Sequence, residues 1–174
     1  MMIKKYLEFI KESRTYEYGC LMGYFKIDNW NDIVSYIDIN DLYKPNEGFG
    51  IEREPHITLL YGLHNEVDSK MIKNILDDFN LDFEITINGI DIFQNEEYDV
   101  VKFNVVLTKE LKNINNSLRK LPHTNEYNEY SPHITIAYVK KGYGEKYVNK
   151  NYKYFIKNID KIIYSTTSGD KIVI

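Results

Sequence analysis

Pro55-His56-Ile57-Thr58-Leu59-Leu60-Tyr61 returns later in the chain as Pro132-His133-Ile134-Thr135-Ile136-Ala137-Tyr138, with five of seven positions identical. Four histidines and eight threonines in 174 residues would produce two His-x-Thr pairs by chance only at about the per-cent level, before the shared Pro, Ile and Tyr are counted. Each copy follows a polar loop that ends in proline, and a strand and a helical segment precede each loop. The chain therefore reads as a pseudo-duplicated unit of strand, helix and His-x-Thr strand. Its halves run over about 16–95 and 96–174 within a single domain of 1–174.

Strand period then says which side chains meet. Successive residues alternate faces, so His56 and Thr58 share one face, as do His133 and Thr135. The same alternation sends Ile57, Leu59 and Tyr61, and equally Ile134, Ile136 and Tyr138, to the opposite face, where both tyrosines are expected in the core. A lone strand histidine is commonly structural. Two copies related by duplication change that reading, because a pseudo-two-fold axis brings both polar pairs to one cleft.

Outward from the motifs, Tyr18 to Phe25 reads as a strand, and Trp30, Ile33, Val34 and Ile37 give a short helix capped by Asp28 or Asn29. The segment Asp41 to Glu54, with Pro45, Gly48 and Gly50, is a loop long enough to border a site. Val67, Met71, Ile72, Ile75, Leu76 and Phe79 recur at helical spacing behind Glu66 and Asp68. Phe83 to Ile87 and Ile90 to Phe93 are two short strands before a polar turn at Gln94 to Glu97. Val100 to Leu107 is a further strand, and Leu111, Ile114, Leu118 and Leu121 mark a helix that Pro122 closes. His133 to Val139 is a strand, and Ile159 to Tyr164 with Lys171 to Ile174 read as a closing hairpin around Ser168-Gly169.

Two imidazoles and two hydroxyls converging on a cleft suit in-line acid and base catalysis. One histidine takes a proton from an attacking hydroxyl and the other gives one to a leaving oxygen; pseudo-symmetry leaves open which does which. Each threonine hydroxyl lies on the side of its histidine, placed to hydrogen-bond a non-bridging phosphate oxygen. The substrate expected from this is a phosphodiester. A metal site is the competing chemistry, but neither motif supplies a second histidine or a carboxylate at i+2 or i+4, so no metal and no cofactor are expected. Cys20 sits in an apolar strand and no G-x-S-x-G occurs, which disfavours a nucleophilic serine or cysteine.

At these residues the chain resembles the 2H phosphoesterase superfamily, defined by two His-x-Thr/Ser motifs. The resemblance implies an α+β, bilobal, pseudo-two-fold LigT-like fold, with antiparallel sheets flanked by helices around a central cleft. PHITLLYGLH (Pro55 to His64), YDVVKFNV (Tyr98 to Val105) and YSPHITIAYVKKGYGEKYV (Tyr130 to Val148) look like the phage anti-CBASS nucleases, which degrade cyclic di- and trinucleotide immune signals without a metal. The resemblance implies that His56, Thr58, His133 and Thr135 are catalytic. It also implies an aromatic near the first strand, Tyr18 with Tyr16 as the alternative, that stacks on a base.

Charge is consistent with a small anionic substrate. Asp plus Glu at 26 against Lys plus Arg at 22 gives a formal net charge of −4, so neither duplex nucleic acid nor a membrane is an expected partner. No protein partner is implied. Locally the balance reverses: Lys140, Lys141, Lys146, Lys150, Lys153, Lys157 and Lys161 face only Glu145 and Asp160. Most of that run reads as solvated surface, and Lys140 and Lys141, leaving the second motif strand, are the candidates to steer phosphate. Phe93 and Tyr98 border the turn between the halves as candidate stacking platforms, with core packing the alternative for Phe93. The 23 Ile, 18 Asn and 16 Tyr are the residues of AT-rich codons, so abundance alone gives no exposed tyrosine a role. A single cysteine suits a reducing compartment, expected to be the cytoplasm. Met1 to Ile10 carries Glu8 inside its apolar run and no small-residue cleavage site, so no export signal is expected.

Overall fold

The structure, a computed structural model, describes residues 16–125 and 129–174; the reading of Met1 to Ile10 lies outside them. In chain order the elements are β1 (Gly19–Tyr24), α1 (Trp30–Ser35), β2 (His56–Leu63), α2 (Ser69–Leu76), β3 (Ile85–Gln94), β4 (Tyr98–Val105), α3 (Lys109–Leu118), β5 (His133–Lys140), β6 (Tyr154–Ile156), β7 (Lys161–Ser165) and β8 (Lys171–Val173). One sheet takes all eight strands in the order β6-β3-β4-β5-β2-β1-β7-β8, and every pairing is antiparallel. This is the α+β, antiparallel, pseudo-two-fold architecture expected.

The axis of pseudo-symmetry passes through the motifs themselves. The two central strands, β2 and β5, pair at Ile57 with Ile134, the middle residues of the two His-x-Thr triplets. Three strands flank each side: β1, β7 and β8 beside β2, and β4, β3 and β6 beside β5. Equivalent backbone bonds repeat, since Phe25 donates to the Pro55 carbonyl at 3.0 Å and Val105 to the Pro132 carbonyl at 3.2 Å. The spatial halves are not the sequence halves. The strands of residues 19–63 and 161–173 build one, and those of residues 85–105 and 133–156 build the other, because β4 folds back antiparallel onto β3 whereas the last two strands, β7 and β8, return to the edge of β1. A boundary near residue 95 leaves β3 in the first sequence half, although β3 lies beside β4 in the sheet.

Helix periodicity supplies the back of the sheet. In α3, Leu111, Ile114 and Leu118 are fully buried at i, i+3 and i+7, the stripe of an amphipathic helix on a core. Thr108 caps it, accepting from Leu111 N at 3.3 Å. In α2, Asp68 accepts from Met71 N at 2.8 Å, and Ile72 and Leu76 are buried; each cap satisfies an otherwise orphaned amide. Helix α3 packs on β2 and α2 on α3. On the other lobe Trp30 of α1 meets Phe103 of β4 edge-on at 6.3 Å.

Two expectations about strands need correction. The runs Phe83 to Ile87 and Ile90 to Phe93 are one strand, β3, interrupted by a bulge between Ile87 and Ile90 at Gly89, whose φ of 140° a glycine accepts without strain. More consequentially, Tyr61 and Tyr138 are not core residues. In β2 the partners run Tyr61, Leu60, Thr58 against Cys20, Leu21, Met22, skipping Leu59; in β5 they run Ala137, Thr135 against Val101, Lys102, skipping Ile136. A bulge at the same place in both motifs shifts the alternation by one residue. Both tyrosines thereby land on the face of the histidines, with Tyr61 49% exposed and Tyr138 half-buried. The bulges are stabilised differently. Asn115 of α3, 3% exposed, donates its side-chain amide to the Leu59 carbonyl at 2.7 Å. The Ile136 carbonyl instead accepts from Glu52 N at 2.9 Å.

Candidate active site

Antiparallel register counted outward from Ile57 and Ile134 sets His56 across from Thr135 and Thr58 across from His133. The four motif side chains thus form one group on the sheet face away from the helices, all half-buried. The two imidazoles are close enough that charge on His56 disfavours charge on His133.

Each imidazole is oriented by the backbone two residues before it. His56 Nδ1 lies 2.8 Å from the Glu54 carbonyl and His133 Nδ1 lies 2.9 Å from the Ser131 carbonyl. A carbonyl only accepts, so Nδ1 carries the hydrogen and Nε2 is the nitrogen that exchanges protons in the cleft. Tyr130 adds a tie between the motifs, its hydroxyl donating to the Thr58 carbonyl at 2.9 Å.

Side chains around the two motifs differ more than the backbone does. The β1 partners of His56 and Thr58 are Tyr24 and Met22; the β4 partners of His133 and Thr135 are Asn104 and Lys102. Tyr24 lies against His56 with ring centroids 5.2 Å apart, and Lys161, 5.0 Å above the Tyr24 ring, pairs with Glu54 at 3.7 Å. Phe93 meets His133 edge-to-face at 4.9 Å. The Lys102 ammonium sits 4.3 Å over the Phe93 ring and 2.5 Å from Asn104 Oδ1. Burial chiefly, then the Lys102 and His56 charges, pull the His133 imidazole below the usual histidine range, while its bond to Ser131 acts the other way. Burial also lowers Lys102. Asp91, bonded to Lys150 at 2.5 Å, is held down at about 2, chiefly by that lysine. Among the hydroxyls, Thr58 lies by Cys20, whose thiol burial pushes up to about 11, and Thr135 lies by the Tyr138 phenol, which burial raises.

Beyond the bulges the cleft continues in two T-shaped tyrosine pairs, Tyr18 with Tyr61 at 6.2 Å and 78° and Tyr98 with Tyr138 at 5.7 Å and 72°. Tyr43 and Phe49, from the loop expected to border a site, cover the second pair at 5.0 and 5.3 Å from Tyr98. Tyr18 also stacks on His64 at 6.0 Å with the rings inclined by 30°.

Of the candidates read from sequence, the structure brings together His56, Thr58, His133, Thr135 and Phe93, and puts Tyr18 at the end of the first lobe's cleft. Lys140 and Lys141 are not brought to the motifs. They lie at the far end of β5, roughly 20 Å from His133 by strand rise, with Lys140 Nζ donating to the Asn40 carbonyl at 2.8 Å and Lys141 Nζ to the Glu96 carbonyl at 3.1 Å. Lys102, Asn104, Tyr24, Tyr61 and Tyr138 were missed. Lys102 had a signal: it is a charge inside the apolar run Val100-Val101-Lys102-Phe103, with Asn104 two residues on. Among the described residues, no three His, Cys, Asp or Glu side chains cluster as metal ligands, and no helix is long and apolar enough to cross a membrane.

Comparison with known proteins bears on the family and the fold. Residues 45–156 match the model of the 2′-5′ RNA ligase superfamily, a span containing both motifs. No curated protein matches by sequence. Among solved structures, Kluyveromyces marxianus Usb1 superposes with a TM-score of 0.60 at 10% identity, covering 91% of this chain and 98% of that one. The same protein with uridine monophosphate gives 0.57 at 9%, covering 90% and 97%. Escherichia coli LigT in apo form gives 0.54 at 15%, covering 91% and 94%.

Proposed function

The chain belongs to the 2′-5′ RNA ligase superfamily, whose 2H members are phosphodiesterases, and from that premise we propose that it is a metal-independent phosphodiesterase that opens 3′-5′ linkages of cyclic di- and trinucleotides. One histidine Nε2 removes the proton of the ribose 2′-hydroxyl; O2′ attacks phosphorus; the P–O5′ bond breaks; and the second histidine protonates O5′. The products are a 2′,3′-cyclic phosphate and a free 5′-hydroxyl, and water opens the cyclic phosphate in a second step. Thr58 and Thr135 hold the non-bridging oxygens as negative charge builds on them. Acting on immune-signal nucleotides in a bacterial cytosol, such an enzyme would evade CBASS antiphage defence.

The observation that carries the chemistry is the pair of matched Nδ1-to-carbonyl bonds, which turns both Nε2 atoms to one cleft as a donor and acceptor pair. The cyclic substrate rests on the resemblance of the segments Pro55–His64, Tyr98–Val105 and Tyr130–Val148. On this reading Tyr18 and Phe93 contact bases, whereas Lys140 and Lys141 would act only on approach.

A second reading, opening of 2′,3′-cyclic phosphates or cleavage of 2′-5′ linkages, is favoured by the family's description and by a structural neighbour solved with uridine monophosphate. A third, sequestration without turnover, needs no second titrating group. Incubation in EDTA with cyclic di- and trinucleotides, a 2′-5′ oligoadenylate and a 2′,3′-cyclic mononucleotide separates them, with products read by mass spectrometry. Cleavage of the cyclic oligonucleotides, absent with the 2′-deoxy analogues and lost in His56→Ala and His133→Ala, is expected. Equal cleavage of the deoxy analogues would refute the 2′-hydroxyl mechanism. Turnover confined to the other substrates would establish the second reading, and binding without turnover the third.

A further inference from the structure

The two halves of the site carry opposite local charge. Around His133, β4 supplies Lys102 and Asn104, β3 supplies Phe93 and Asp91, β2 supplies His56, and Lys150 reaches in from the segment before β6. Lys102 is 4% exposed and immobilised. It lies 2.5 Å from Asn104 Oδ1 and 4.3 Å from the Phe93 centroid, between the two side chains that flank His133. Asp91 faces this group and accepts from Asn104 at 3.3 Å, but Lys150 already pairs with it. Two ammonium groups thus stand against one carboxylate. Around His56 the balance is reversed: Lys161 stands against Glu54 and, further off, Glu52, both of which act on Tyr24. The position equivalent to Lys102 is Met22.

We propose that Lys102 is a positioning residue that breaks the two-fold symmetry of the site, assigning His133 to remove the proton from the attacking hydroxyl and His56 to supply the proton to the leaving oxygen. The assignment rests on the two-histidine phosphodiesterase reading. A buried cation beside His133 opposes a second positive charge there, so His133 enters the first step with Nε2 free. When water opens the cyclic phosphate the roles exchange. His133, now protonated, donates to O2′, and His56 takes the proton of water.

The test is an NMR titration of the His133 imidazole alongside kcat/KM against pH. Lys102→Met, which copies the residue of the other lobe, raises the His133 midpoint by about one pH unit. The acid limb of kcat/KM moves with it, a loss of roughly 3- to 10-fold at pH 6 that narrows by pH 8. Lys102→Arg keeps the charge and leaves both near wild type. Asp91→Asn, which removes the opposing carboxylate, moves both the other way. That reversal is outside the reach of a merely structural role and stands even if Lys102→Met folds poorly. An unchanged His133 midpoint in folded Lys102→Met, or a shift confined to the basic limb, would overturn the assignment. A wild-type chain that turns over none of the phosphodiesters would instead overturn the functional reading and the roles with it, while the titration still reports whether Lys102 acts on His133.

Discussion

His56 and His133 receive the same backbone: an i−2 carbonyl on Nδ1, an isoleucine on the axis, a threonine two residues on and then a bulge. What surrounds them is not the same. His56 has Tyr24 and Met22 from the neighbouring strand and carboxylates nearby, whereas His133 has Asn104, Phe93 and the buried Lys102. The difference teaches that duplication copies geometry through main-chain bonds, which tolerate side-chain exchange, and that the neighbouring strand is where the two halves diverge in chemistry.

Removing either histidine tests what the halves share. His56→Ala and His133→Ala should each lower kcat/KM by about 10³-fold, and the double variant should be little worse than either, as for groups that act as a unit. Next in size is a contrast six residues beyond each histidine. Gly62 has φ of 93°, and a Cβ there would stand 1.8 Å from the Thr124 carbonyl oxygen, so Gly62→Ala should cost about 3 kcal/mol or more in urea denaturation. Val139, its counterpart, is ordinary buried strand, and Val139→Ala should cost about 2 kcal/mol. Thr58→Val and Thr135→Val should each reduce kcat/KM by about 10²-fold; a loss in one alone would mean that the phosphate leans on a single lobe. Asn115→Ala leaves the Leu59 carbonyl without its donor in one lobe only, at about 2 kcal/mol.

The smallest effect is a pH slope. His133 titrates below its unfolded value of about 6.5, chiefly through burial. The unfolded chain therefore binds more protons between the two values, so this stabilising contribution is complete above about pH 6.5 and is lost as pH falls through the lowered folded value. His133→Gln should flatten stability against pH in that window.

The motif pair, both amphipathic helices and the bordering loop were legible because each depends on local spacing. The site's second ring was not. A strict period of two sent Tyr61 and Tyr138 to the core, although the doublets Leu59-Leu60 and Ile136-Ala137, adjacent apolar residues that are all buried, are what a bulge leaves in sequence. Strand β6, three residues in a lysine-rich stretch, has too few positions to show a period. Lys140 and Lys141 looked close to the site because they are close in sequence, yet strand rise carries them to the far end of β5. Lys102 is inconspicuous in sequence because it sits in the midst of a strand whose neighbouring residues read as core.

The carbonyls that orient the imidazoles belong to Glu54 and Ser131, and each of those residues precedes a proline, Pro55 and Pro132. A pyrrolidine ring disfavours the helical region for the residue before it and pushes that residue towards extended backbone. The choice of tautomer is thus built into covalent geometry ahead of any substrate. Two proline rings, one before each histidine, thereby help decide which nitrogen of each imidazole faces the cleft.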